Sequence, residues 1–234
     1  MNLHPARTTR TTAAAILWLS SVQFFLAQAI VQSAWTTPFS LTQNFISDLG
    51  NTACAPYPLG SDNYVCSPWH FWMNASFLLI GLTIPLGAAL ARHVFRPGLL
   101  REAALVLLAL AGPGFVAVSL YPENVAIAPH KIGAGFVFVS GNLGLALLGV
   151  AIQQTFRRVR LATALAVLGI AGFIATVLLV TGRYLGIGIG GIERVAAYPL
   201  PVGLIMTGYF LLRARRSPHS TARPLTSATG SSPS

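Results

Sequence analysis

Six apolar runs, each near the length of a bilayer crossing, constrain this chain more than any motif does. They cover residues 13–34, 69–91, 103–121, 132–152, 161–181 and 195–212. About 20 apolar residues in helical form span the hydrocarbon core, and a helix satisfies its own backbone hydrogen bonds in lipid. The expected fold is therefore all-α, a polytopic membrane protein with a six-helix transmembrane bundle. Composition agrees: 9% of the 234 residues are charged and 54% are hydrophobic, where soluble domains carry about 25% charged residues. The first run is longer than the ~7–15 apolar residues of a secretory signal core, so it reads as a span and not as a cleaved signal.

The formal net charge of +10 is distributed in a way that orients a membrane protein and gives no nucleic-acid footprint. Arg7, Arg10, Arg92, Arg96, Arg101, Arg157, Arg158, Arg160, Arg213, Arg215, Arg216 and Arg223 all fall in alternate connections. Loops rich in basic residues stay cytoplasmic, so both termini are expected there, with the arginines near anionic lipid headgroups. Membrane lipids are the expected partners. The opposite connections hold Asp48, Asp62, Glu123 and Glu193. Residues 1–12 then form a cytoplasmic N-terminus, 13–212 the membrane domain, and 213–234 a basic, then Ser/Thr/Pro-rich tail that reads as disordered. Arginine greatly outnumbers lysine, which fits a GC-rich bacterial genome, and a multi-pass protein of the cell membrane follows.

Both cysteines, Cys54 and Cys66, lie in the first external connection. An oxidising compartment favours a disulfide closing that loop, and no CxxC redox motif is present. The same connection, 35–68, contains TTPFSLTQNFISDLGN, whose apolar residues predict a segment on or dipping into the membrane surface. Pro85, Gly112-Pro113-Gly114, Pro199 and Pro201 are expected to kink their helices. Ser140 and Gly144 have the small-xxx-small spacing of close helix packing.

Polar groups inside a membrane are costly and mark functional sites by default. Here they gather at the external ends of the spans. In CSPWHFWMNAS (66–76), Ser67 is the expected N-cap and Pro68 the first helical residue; Trp69 and Trp72 belong to the interfacial belt. His70 and Asn74, four apart, share one helix face. In SLYPENVAIAPHKIGAG (119–135), His130 opens the fourth span beside Glu123. The candidate catalytic groups are Asp48, His70, Glu123 and His130, with Asn74, Arg183, Glu193 and Arg194 as candidate ligand-binding residues. Three chemistries use such a set: metal binding by imidazole and carboxylate, haem ligation between two histidines, and acid–base catalysis by a carboxylate-oriented histidine. No spacing selects a metal or a cofactor. The bland alternatives are a His70 bonded to a loop carbonyl and ion pairs among Arg183, Glu193, Arg194, Asp48 and Glu123. The stretch GRYLGIGIGG (182–191) puts Gly182, Gly186 and Gly190 on one face if helical, and otherwise makes a pliant loop.

The stretches ISDLGN (46–51), CSPWHFWMNASF (66–77), YPENVAIAPHKIGA (121–134) and SGNLGLALLG (140–149) resemble the membrane family catalogued as domain of unknown function 998. The resemblance implies a six-span fold and groups Asp48, His70, Asn74, Glu123 and His130 in family-like segments; it implies no reaction. Function is expected to be that of a membrane protein with a polar cluster at its external face, directed at a lipid as an enzyme. The alternatives are a small-molecule carrier, a non-enzymatic sensing or assembly protein, and a haem protein.

Overall fold

The computed structural model describes residues 5–58 and 63–216. Asp62, the first four residues and the expected tail from 217 onward, Arg223 included, lie outside them. Six helical rods are long and apolar enough to cross a membrane: Arg7–Ser33, His70–Ala91, Leu99–Leu120, Ile127–Phe156, Val159–Val180 and Gly188–Ala214. The protein is thus an all-α, multi-pass membrane protein.

Three rods are single helices, α3 (His70–Ala91), α4 (Leu99–Leu120) and α7 (Val159–Val180). The other three are broken. The first is α1 (Pro5–Leu19) followed by α2 (Val22–Ser33), interrupted where the Ser20 hydroxyl bonds back to the Leu17 carbonyl at 2.7 Å. The fourth is α5 (Ile127–Gly135), a π-helical turn (Phe136–Ser140) and α6 (Gly141–Phe156). The sixth is α8 (Gly188–Ala197) and α9 (Pro199–Arg216), divided at Tyr198 just ahead of Pro199, while Pro201, also expected to break it, lies inside α9.

Pro85 and Pro113 do not interrupt their helices; both lie inside continuous α3 and α4. The two helices meet at glycines instead. A Cβ on Gly112 would stand 2.6 Å from the Gly81 carbonyl oxygen and 2.8 Å from the Pro85 ring, so only glycine permits this approach. Gly144 similarly rests on α4, its Cβ position 2.8 Å from the Leu108 nitrogen. The core runs down the centre through Trp18, Phe24, Met73, Ile80, Ile84, Leu108, Leu145, Leu148 and Leu165, while Leu82, Leu86, Val106, Val167, Ile170 and Ile174 face outward. Exposed apolar side chains around a packed centre are what a lipid solvent requires.

The rods end on two dissimilar faces. One carries arginine-rich short turns. The other, here the loop end, carries the long connection between α2 and α3, with a 3-10 turn (Ser47–Gly50) and a small hairpin, β1 (Ala55–Pro56) and β2 (Tyr64–Val65). Ala55 pairs with Val65 and Pro56 with Tyr64; the Cys54–Cys66 disulfide closes the base of that hairpin.

Candidate functional site

At the loop end, residues 44–50 sink into the bundle behind the exposed residues 41–43, and polar groups from distant helices hold the loop there. The binding begins with glycine. Gly190, in the first turn of α8, donates its N–H to the Thr42 carbonyl at 2.9 Å, and any Cβ there would strike the Asn44 carbonyl oxygen. One turn further along, the Arg194 guanidinium directs Nη1 at three carbonyls, Leu41 (3.0 Å), Asn44 (2.7 Å) and Gly190 (2.9 Å), with Phe39 beneath it at 5.6 Å. A buried cation can persist because it is hydrogen-bonded on one side and faces a ring on the other.

Three buried carboxyl groups grip the next residues. Glu193 accepts the Ile46 N–H at 2.6 Å. Asp48 accepts the Phe45 N–H at 2.9 Å and the Asn44 side-chain amide at 3.0 Å. Glu123, in the α4–α5 connection, accepts the Ser47 hydroxyl at 2.9 Å. Asp48 and Glu193 are 1% and 6% exposed, so each carboxyl depends on these donors for solvation. Asp48 Oδ1 and Glu123 Oε1 have no hydrogen-bond donor, yet the two carboxyls lie within hydrogen-bonding reach of one another. Two buried carboxyls side by side disfavour ionisation of both. Burial, with the Asp48 carboxyl alongside, pushes the Glu123 carboxyl well above the usual range. Burial also raises the Tyr57 phenol, reinforced by Glu123 and Asp48; its hydroxyl donates to the Glu123 backbone carbonyl at 3.1 Å.

Beneath this clasp lies a chamber of about 30 Å³, bounded by Ser47, His130, Glu193 and an aromatic floor that includes Phe24, Phe77, Phe115 and Phe138. His130 is buried, and its Nδ1 stands 2.9 Å from the Tyr121 carbonyl oxygen. A carbonyl only accepts, so Nδ1 carries the hydrogen and the neutral ring presents Nε2 as a base. The π-turn that follows α5 is tied across the bundle by Asn142, whose amide donates to the Phe138 and Ala196 carbonyls, both at 2.8 Å. This fixes the wall carrying His130 relative to the α8 wall carrying Glu193.

The structure thus gathers Asp48, Glu123, His130, Glu193 and Arg194 into one site and leaves other candidates out. His70 borders the loop, but its Nδ1 is occupied by the Ser67 carbonyl at 3.0 Å, and it does not line the chamber. Asn74, on the same helix face, donates to the Gly50 carbonyl at 2.9 Å and supports the 3-10 turn from below. Arg183 is exposed in the α7–α8 turn. The expected ion pairs do not form: among the described residues, ion pairs join only Arg92 and Arg101 to Glu102, and Arg194 binds carbonyls instead. Ser67 is not the N-cap of α3, which begins at His70 after Trp69; its hydroxyl donates to the Leu49 carbonyl at 2.7 Å. The stretch 182–187 is not helical: Gly182, Leu185, Gly186 and Gly188 all have positive φ. The fourth rod, Ile127–Phe156, passes both ends of its apolar run, with Pro129 in the first turn, where its missing N–H costs nothing. Among the described residues, no three His, Cys, Asp or Glu side chains are grouped to hold a metal ion.

The profile of a family described as a protein of unknown function, DUF998, matches residues 13–209. The chain belongs to the DUF998 family. That match takes in the four middle rods, most of the first and sixth, and every residue of the clasp. No curated protein and no solved structure matches the chain. Asn44, Ser47, Tyr57 and Asn142 are neighbours of the candidate site that sequence reasoning does not single out. Ser47 lay within the ISDLGN stretch, beside Asp48, and is the one a local signal pointed near.

Proposed function

We propose that the protein is a lipid-directed membrane enzyme working at the loop end of the bundle, with His130 as its acid–base group. The observation behind this reading is a buried histidine whose tautomer is set by the Tyr121 carbonyl and which shares a chamber with Ser47, Glu193 and an aromatic floor. A ring held this way takes a proton at Nε2 without turning, and a positioned base of this kind contributes about 10²–10⁴-fold to a reaction. The phenylalanines suit the apolar part of an amphiphile. At about 30 Å³ the chamber admits nothing larger than a small group, so a larger substrate enters as residues 40–48 lift away from Arg194 and the carboxyls. Arg194 spends Nη1 on the Leu41, Asn44 and Gly190 carbonyls and so holds the loop, while among the described residues its Nε and Nη2 have no hydrogen-bond partner. By the distribution of arginine the loop end faces outward and both termini are cytoplasmic, which puts the site at the outer leaflet of the cell membrane.

A second reading is favoured by the Asp48–Glu123 pair: a non-enzymatic sensing protein whose loop responds to proton uptake. One experiment separates the two. Purified protein in nanodiscs made from a mixed lipid extract is incubated and the lipids are profiled by mass spectrometry, for the wild type and for His130→Gln. The enzyme reading expects a lipid-derived product from the wild type that is lost in a folded His130→Gln protein. Equal profiles from both proteins would defeat it, and a loop that still answers to pH in both would then favour sensing.

A further inference from the structure

The end of the bundle opposite the clasp holds a second concave site. A pocket of about 310 Å³ opens between the start of α1 and the α3–α4 turn, lined by Arg10, Ala89, Leu90, Arg92, His93 and Arg101. Three arginines converge on it, and one carboxylate offsets them. Glu102 is held by Arg92, through Nε and Nη2 at 3.0–3.2 Å, and by Arg101. Arg101 is further pinned by bonds to the Arg92 and Phe95 carbonyls, both at 3.3 Å. The walls are therefore fixed before any ligand arrives. His93 ties α1 to the end of α3, its Nε2 3.1 Å from the Arg7 carbonyl. Arg10 is exposed and forms no ion pair among the described residues, so its planar fork of donors remains available.

The surroundings say which anion fits. Leu90 at the pocket lies at helical spacing from Leu86, Leu82 and Leu79, and those three are 55%, 50% and 44% exposed. They form an outward stripe running from the pocket towards the middle of the membrane. A basic pocket opening onto an apolar, lipid-facing stripe matches a phosphodiester that carries acyl chains.

We propose that this pocket is a binding site for an anionic phospholipid, with the headgroup phosphate held by Arg10 and Arg92 and an acyl chain lying along Leu86, Leu82 and Leu79. It is separate from the chamber and does not depend on the enzyme reading. The test is native mass spectrometry of the full chain from phosphatidylcholine nanodiscs doped with phosphatidylglycerol, counting the phosphatidylglycerol retained. One arginine near a membrane surface contributes about fivefold in affinity. Arg10→Gln is therefore expected to lower retention about fivefold, while Arg158→Gln, which removes an exposed arginine that does not line the pocket, lowers it by clearly less. Arg10 makes no ion pair, so its loss leaves the fold intact, and Arg10→Gln/Arg92→Gln is expected to lower retention further. Millimolar inorganic phosphate should leave the retained lipid in place. Equal losses in Arg10→Gln and Arg158→Gln would overturn the proposal, as would equal retention of phosphatidylcholine. Displacement by inorganic phosphate would also overturn it, because the pocket would then take a free anion.

Discussion

Replacing Glu123 by glutamine separates charge from shape in the clasp. In the wild type the carboxyl accepts the Ser47 hydroxyl at 2.9 Å, and its other oxygen, which has no donor, lies in reach of Asp48. Glutamine keeps an acceptor for Ser47 and offers an N–H to Asp48, so Glu123→Gln imitates the protonated acid at every pH. The sign follows from the raised carboxyl. A group whose folded pKa exceeds its unfolded value, near 4.3 for glutamate, supports the folded state fully below that unfolded value. The support is lost as pH climbs towards the folded value. Glu123 is 6% exposed, so solvent screens little of the effect. Across the window, each pH unit costs about 1.4 kcal/mol from this one group. Wild type and Glu123→Gln are thus expected to match within about 1 kcal/mol near pH 5 and to diverge above it, with the variant more stable at pH 9. Thermal unfolding in detergent from pH 5 to 9, followed by hydrogen exchange of the Phe45 and Ile46 amides, measures both the global and the loop terms. Parallel pH profiles for the two proteins, or a wild type that gains on the variant as pH rises, would refute a raised Glu123 carboxyl in the clasp.

Three further outcomes follow from single contacts. Arg194→Met removes the donor shared by the Leu41, Asn44 and Gly190 carbonyls; it should weaken the clasp by about 3 kcal/mol, seen as faster proteolysis within residues 40–48 while the rods stay folded. Asn142→Leu leaves the Phe138 and Ala196 carbonyls without their cross-bundle donor and should cost about 2 kcal/mol of thermal stability, whereas Asn142→Gln, reaching too far, should recover only part of it. Gly112→Val forces side-chain atoms onto the Gly81 carbonyl and the Pro85 ring; overpacking of this kind costs about 1–3 kcal/mol or more, and a lowered yield of monodisperse protein on size-exclusion chromatography checks it.

Much of the fold is legible in the sequence because membrane spans are written locally. A run of apolar residues near 20 long is enough to place a rod, and all six rods overlap the six runs. The ends were harder. Rod four starts at Ile127, ahead of the apolar run, because a hydropathy window discounts His130 and Lys131; the Tyr121 carbonyl meets the buried His130 ring, while Lys131 stays exposed. The prolines misled in part: Pro199 does divide a rod, but Pro85 and Pro113 do not, since neighbouring glycines let α3 and α4 support one another. The clasp was half visible. Asp48, Glu123, Glu193 and Arg194 stand out as charges in an apolar chain, but their partners do not, because the Ile46 amide and Glu193 are 147 residues apart. No local pattern reports a contact of that range. His70 and Asn74 do share a face, and both serve the loop, yet it is His130, through the Tyr121 carbonyl, that faces the chamber.

The most direct measurement concerns the ring of His130. In protein labelled with ¹⁵N at histidine only, comparison with His130→Gln assigns its two ring nitrogens by NMR. Nδ1 is expected to carry the hydrogen and Nε2 to be bare in the neutral ring, with the Nε2 resonance moving when a substrate amphiphile enters the chamber. A neutral ring protonated at Nε2 and bare at Nδ1 would break the bond to Tyr121 and remove the base from the chamber, and with it the proposed chemistry.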